Sequence, residues 1–172
     1  MNRTAWIFVG LVGMVGGGCN CVGREFSVQK TFTVDSRSDL CATAQRTINL
    51  QDDSAFSQMK ANLGKVELRK VTVVIGKPQA ESAATVGHGS VAVQGTSAGS
   101  VVAELGTYAD VPISEGSRQD IAFDHGAAGR LADLALKPPN SFDVIAQGCN
   151  DRVPALYDFD VILTLYAELK LF

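Results

Sequence analysis

The last sixteen residues of the sequence, Tyr157 to Phe172 (YDFDVILTLYAELKLF), carry its most regular pattern. Tyr157, Phe159, Val161, Leu163, Leu165, Ala167, Leu169 and Leu171 recur at every second position, with Asp158, Asp160, Thr164, Glu168 and Lys170 between them. Successive side chains of a strand point to opposite faces, so this period is that of a strand with one face in a core and one in water. A slip of one residue would reverse every face, so the pattern specifies its own register. The segment is long enough to bend and serve two sheets.

Working outward, the same alternation holds at Phe26, Val28, Phe32 and Val34, where only Lys30 interrupts the apolar side. A second strand is expected over Ala44–Leu50, with Ile48 and Leu50 inward. The run Lys65–Ile75 (KVELRKVTVVI) changes phase between Leu68 and Val71, which predicts a bulge near Arg69–Lys70. Strands at Ser90–Gln94 and Val101–Leu105 flank Gly95-Thr-Ser-Ala-Gly99, a hairpin loop. Val111–Ser114 reads as an edge strand because it holds Pro112. Gln119–Phe123 and Ser141–Gln147 complete the set. Asp52, Asp53 and Ser54 offer an N-cap to a two-turn helix over Ala55–Asn62, with Gly64 in a left-handed position after it. A second helix is expected over Gly126–Lys137, stopped by Pro138 and Pro139, with its leucines covering a sheet edge or barrel end.

Many short strands, frequent turns and two small helices predict a mainly β fold, an antiparallel immunoglobulin-like β-sandwich in one domain. That likeness is architectural and carries no function. The chain has 172 residues, 46% of them hydrophobic and 19% charged, which excludes disorder. Fifteen Lys and Arg against eighteen Asp and Glu give a net charge of −3, which argues against a nucleic-acid partner. Mean hydropathy is +0.12, high for a soluble domain, and the N-terminus supplies part of it.

The chain opens with Arg3, an apolar run Ala5–Val15, then Gly16, Gly17, Gly18 and Cys19. A basic start, a short apolar core and small residues at a cut form the layout of a signal peptide. The run is shorter than the ~20 apolar residues of a spanning helix. Gly17, Gly18 and Cys19 resemble the end of a bacterial lipoprotein signal, in which the cysteine is acylated and becomes the mature N-terminus. Gly16 departs from that family, which usually has an aliphatic residue there. The resemblance covers only about the first twenty residues. It implies a signal at 1–18, lipidation at Cys19, a tether over 19–25, a domain over 26–172, and attachment to a membrane of the bacterial cell envelope through the lipid. Ordinary signal cleavage after Gly18 satisfies the same small-x-small spacing and gives a soluble secreted protein.

The cysteines are Cys19, Cys21, Cys41 and Cys149. Thiols in an oxidising compartment tend to pair. If Cys19 carries lipid, Cys41 and Cys149 are the natural pair within the domain and Cys21 is left over. If it does not, all four pair in one of three connectivities. No second Cys or His cluster completes a zinc set around the Cys19-x-Cys21 spacing, so no metal is expected.

Chemistry-bearing motifs are sparse. Gly95-Thr-Ser-Ala-Gly99 matches the G-x-S-x-G nucleophile elbow, and Asp110, Asp120, Asp124 and His125 follow in the Ser, Asp, His order. An elbow needs a helix after the serine, whereas a strand-like segment follows Ser97, so the hairpin reading is preferred. His125 and Asp124 read as the start of a helix. The glycines from Gly87 to Gly99 lack a phosphate-loop lysine and read as turns. Asp158 and Asp160 read as outward, solubilising residues, although paired carboxylates also hold calcium. No catalytic residues and no cofactor are therefore expected. The function these residues support is a non-enzymatic interaction or structural module, lipid-anchored at the cell envelope, with an unidentified envelope protein as partner. An exported binding protein for a small apolar ligand, held between the sheets or under the second helix, is the alternative, and a hydrolase using Ser97 and His125 a third.

Overall fold

The computed structural model describes residues 21–170. Eight strands run in chain order: β1 (Cys21–Ser36), β2 (Cys41–Asn49), β3 (Leu63–Ile75), β4 (Val86–Gly95), β5 (Ala103–Pro112), β6 (Arg118–Ile121), β7 (Ser141–Asn150) and β8 (Ala155–Lys170). Helix α1 (Ser54–Met59) lies between β2 and β3, and α2 (His125–Leu136) between β6 and β7. One sheet has the order β1-β8-β3-β6 and the other β2-β7-β4-β5, all neighbours antiparallel.

The antiparallel pairs are nested: β1 with β8, β2 with β7, β3 with β6 and β4 with β5. Only the β4–β5 connection stays within a sheet; every other one crosses from one sheet to the other. A long hairpin rolled up in this way is a jelly roll. The expected antiparallel sandwich is therefore present, but its strand order is not that of the immunoglobulin fold. Periodicity reports that a segment is a strand, not which strand it pairs with, and the distinction lies in the pairing.

The alternation at the end of the sequence puts β8 between two partners. Its inward residues Tyr157, Phe159, Val161, Leu163, Leu165 and Ala167 are all buried. Fully burying one large apolar side chain contributes about 1.5–3 kcal/mol, so this strand supplies much of the core. Phe32 of β1 stacks on Phe159 with ring centroids 5.4 Å apart, and Tyr108 and Tyr157 each tilt against the same ring at 6.4 Å. The outward face bonds to β1: Thr31 donates to Asp160 at 2.6 Å and Thr33 to Asp158 at 2.7 Å. These bonds give Asp158 and Asp160 a structural role between strands. β8 stays within one sheet, paired to β1 from Ala155 to Lys170 and to β3 from Phe159 to Leu169, and does not bend to serve both.

Other strands depart from expectation in detail. β1 begins at Cys21, so the stretch expected as tether is already paired to β8 from that residue. Lys30, in the apolar phase of β1, is half-buried opposite Val161. The predicted bulge in β3 is present as a register shift between Leu68 and Lys70. Gly64 belongs to β3 and caps no helix. Val101 and Val102 lie in the β4–β5 loop, and Val111 and Pro112 end β5 instead of forming a separate strand.

The helices close one end of the sandwich. Asp53 caps α1 by accepting from the Phe56 amide at 2.9 Å, and Phe56 packs on Phe26 with centroids 6.0 Å apart. A single 3-10 turn, Lys60–Asn62, carries the chain on to β3. Asp124 caps α2 by accepting from the Ala127 amide at 2.8 Å, and Leu131 and Ala135 are fully buried. Asn140, with φ of 60°, donates its side-chain amide to the Ala135 carbonyl at 2.8 Å and accepts from the Leu50 amide at 3.0 Å. One buried asparagine thus ties the end of α2 to the β2–α1 connection.

Cys41 and Cys149 face each other across β2 and β7 and form a disulfide with a sequence separation of 108. Closing a loop of that length restricts the unfolded chain by about 4–5 kcal/mol on a chain-entropy model.

Leu165→Ala is expected to lower unfolding free energy by about 2–5 kcal/mol. Asp160→Ala, on the exposed face of the same strand, should cost only about 1 kcal/mol; urea denaturation of both variants compares the two faces. Replacing Cys41 and Cys149 by serine should cost about 2–5 kcal/mol, and non-reducing peptide mapping of the parent chain must find the two joined.

Candidate functional site

The expected anchor, Cys19, and the signal at 1–18 lie outside the described residues. Within residues 21–170 no helix is long and apolar enough to cross a membrane, and no three His, Cys, Asp or Glu side chains converge as a metal set.

The serine–histidine constellation does not assemble. Ser97 sits in the loop between two antiparallel strands, where its carbonyl accepts from the amide and hydroxyl of Ser100 at 3.2 and 2.7 Å. That is strand–loop–strand, without the helix an elbow requires. A β-carbon at Gly95, two residues before Ser97, would lie 3.2 Å from Leu134 of α2. Leu134 is nine residues beyond His125, or about 13 Å along the helix axis. The loop therefore meets the far part of α2, while His125 packs edge-on against Phe123 at 5.8 Å. The acids that follow Ser97 have other duties. Asp124 caps α2, and Asp120 pairs with Lys70 at 2.8 Å and accepts from Thr72 at 2.8 Å. Lys70 and Thr72 hold the Asp120 carboxyl below its usual range. Asp110, with φ of 55°, lies where β5 is irregular against β4.

The glycines of β4 also have a packing cause. A β-carbon on Gly89 would fall 1.9 Å from the Gln147 carbonyl oxygen and 2.7 Å from the Tyr108 hydroxyl. Tyr108 crosses β4 there to donate to that carbonyl at 3.1 Å. Burial raises the Tyr108 phenol, and the neighbouring Tyr157 raises it further. Burial pushes Tyr157 up to about 12, against the opposing effect of its 2.7 Å bond to Asn150. Both phenols therefore stay neutral near physiological pH.

A groove of about 610 Å³ lies on the outer face of β2 and β7, lined by Gln45, Thr47, Asn49, Gln51, Thr96, Pro139, Ser141 and Asp143. Alternation along β2 puts Gln45, Thr47 and Asn49 on one face. Pairing sets Thr47 opposite Asp143 and Asn49 opposite Ser141. Asp143, the one charged residue of the lining, is buried at its base. Its two oxygens accept from Thr47 at 2.6 Å and Gln45 at 2.8 Å. Gln51 closes one side, donating to the Pro139 carbonyl at 2.8 Å. The lining is amide and hydroxyl, with no lysine, arginine or aromatic ring. It suits a polar, uncharged surface and offers no nucleophile with a base beside it. The interior proposed for an apolar ligand is filled by protein: Phe32, Phe142, Leu105, Leu131, Leu163 and Leu165 are fully buried there.

At the opposite end, Asp151 clamps two connections together. It accepts from the Thr85 amide at 2.8 Å, the Thr85 hydroxyl at 2.5 Å and the Val86 amide at 3.0 Å. Those bonds, the hydroxyl's first, hold its carboxyl well below the usual carboxylate range.

No protein-family model and no characterised protein sequence matches the chain. Among solved structures, the chain is similar to a decameric BFDV capsid protein (14% identity, TM-score 0.45, covering 86% of this chain and 99% of that one). It is also similar to turnip yellow mosaic virus (13%, TM-score 0.36, covering 99% and 92%) and tobacco necrosis virus (11%, TM-score 0.35, covering 99% and 89%). At these identities and TM-scores no property of those proteins carries over to this chain.

Because the native Asp151 carboxyl is held low, it contributes stability above the ordinary carboxylate range, near pH 4. That contribution is lost as pH falls through the lowered native value. Asp151→Asn should therefore flatten the acid side of the stability profile, read as urea midpoints between about pH 7 and about pH 3.

Proposed function

We propose that the chain is an exported, lipid-anchored module of the bacterial cell envelope, held at a membrane through Cys19, that acts by binding a protein partner and carries out no reaction. The observation that carries the reading is the Cys41–Cys149 disulfide. Such a bond persists in oxidising compartments outside the cytosol, which agrees with the signal-like start and the lipoprotein-like Gly-Gly-Cys. The non-enzymatic part rests on the separation of Ser97 from His125 and on the structural duties of Asp120 and Asp124. The surface offered to a partner is the polar groove across β2 and β7. Its edge strand β2 is fixed to β7 by the disulfide and by the Asp143 bonds, so the groove is pre-formed, and a partner need not order it on binding.

Lipid attachment also fits the charge. Removal of residues 1–18 takes Arg3 and no acidic residue, leaving fourteen basic against eighteen acidic residues. A chain of that net charge does not adhere as a whole to an anionic surface, so stable attachment needs acyl chains.

Metabolic labelling with a fatty-acid probe should mark the full chain and co-fractionate it with membranes, and Cys19→Ala should abolish both. An unlabelled parent chain overturns the anchor. A photo-cross-linking residue at Thr47 should trap a discrete envelope protein in intact cells, and the same residue at Gly116, at the opposite end, should not.

A further inference from the structure

The start of β1 shares one end of the sandwich with several other elements. β1 starts at Cys21 opposite Lys170, and Leu63 of β3 pairs with Leu169 of β8. In the second sheet, Asn49 pairs with Ser141 and Gly95 with Phe142, so α1, α2 and the β4–β5 loop all lie toward that end. Two chain steps separate Cys19 from Cys21, a reach of at most about 7 Å. β1 then rises about 50 Å through its sixteen residues. An acyl group carried by Cys19 would therefore join the chain within about 7 Å of the start of β1.

Two independent features mark the same end. Val101 and Val102, adjacent in the β4–β5 loop, are 63% and 51% exposed, an unpartnered apolar tip. Charge is also unequal between the ends. The near end (residues 23–27, 50–69, 96–102, 122–140 and 165–170) holds seven basic and seven acidic residues. The far end (residues 35–39, 76–85, 110–117 and 151–158) holds three basic and seven acidic, so the domain's acidic excess points away from Cys19. The rung beside Cys21 is balanced, with Lys65 and Lys170 against Glu67 and Glu168, so this end lacks the acidic excess of the other. An anionic bilayer attracts lysines at its surface and repels carboxylates within a Debye length.

We propose that the sandwich stands end-on against a phospholipid bilayer, with the Val101–Val102 tip in the interface and the Leu40 and disulfide end outermost. This rests on the Cys19 anchor proposed above. The groove on β2 and β7 would then open sideways, parallel to the membrane plane.

Trp6, the single tryptophan of the sequence, falls in the predicted signal, so an introduced tryptophan reports alone. Full-length Val101→Trp, Val102→Trp and Leu40→Trp chains, lipidated in a bacterial host, are reconstituted into vesicles of phosphatidylglycerol and acyl-brominated phosphatidylcholine. All three sites are exposed, so each variant is expected to fold. Tryptophan at 101 or 102 should show a blue shift and loss of emission to bromine, and tryptophan at 40 neither. Equal quenching at both ends, or none at 101 and 102 in protein that carries the fatty-acid label, overturns end-on docking and leaves the anchor standing. Absence of the label overturns the anchor and the docking together.

Discussion

Sixteen residue pairs join β1 to β8, between segments separated by most of the described chain. Everything else in the fold is enclosed by that pairing. Once β1 lies on β8, β2 and β7 must run back beside each other in the second sheet, and the remaining pairs nest inside them. The free energy that holds the outer pair comes from its inner face, where Phe32, Val34 and every second residue of β8 from Phe159 to Ala167 are buried. Its loop-closure entropy is spent early and recovered only when those side chains meet, which makes non-local β folds of this kind slow to form. The disulfide, one pair further in, holds the second layer at the same distant separation.

Much of this was legible residue by residue. The alternation of β8 and β1, the phase change at Arg69–Lys70, the Asp53 and Asp124 caps and the Pro138 stop are local signals, read from neighbours in sequence. The jelly-roll order was not, because the same strands with the same faces also satisfy an immunoglobulin-like connectivity. The groove was hidden for a related reason. Gln45 and Asp143 bond across a separation of 98 residues, and each alone is an ordinary outward or interrupting polar residue. Asp143 sits between buried Phe142 and Val144, and that break in an apolar strand was the one available signal.

The separation of Ser97 from His125 follows from the same topology. A nucleophile elbow requires a strand leading into a helix, but among the described residues both α-helices belong to crossovers between sheets, and Ser97 lies on the one connection that returns within a sheet. Polar residues with long reach are used to fasten crossovers: Asp151 across the β3–β4 and β7–β8 connections, Asn140 across the α2 and α1 connections, Asn150 beneath Tyr157. These polar side chains help to close the two ends of the roll.

Four strands of a jelly roll have an unpaired side, and each here is protected differently. β6 is only four residues long, β5 is irregular and ends at Pro112, and β2 is tethered by the disulfide. β1 is the exposed case, a sixteen-residue edge of otherwise regular alternation. Lys30 stands at its middle on the apolar side, so a second strand laid along that edge would have to bury an ammonium group without a partner. Arg24, opposite Ala167, stands in the same phase as Lys30, and the two cations together disfavour the joining of neighbouring copies into a continuous ribbon.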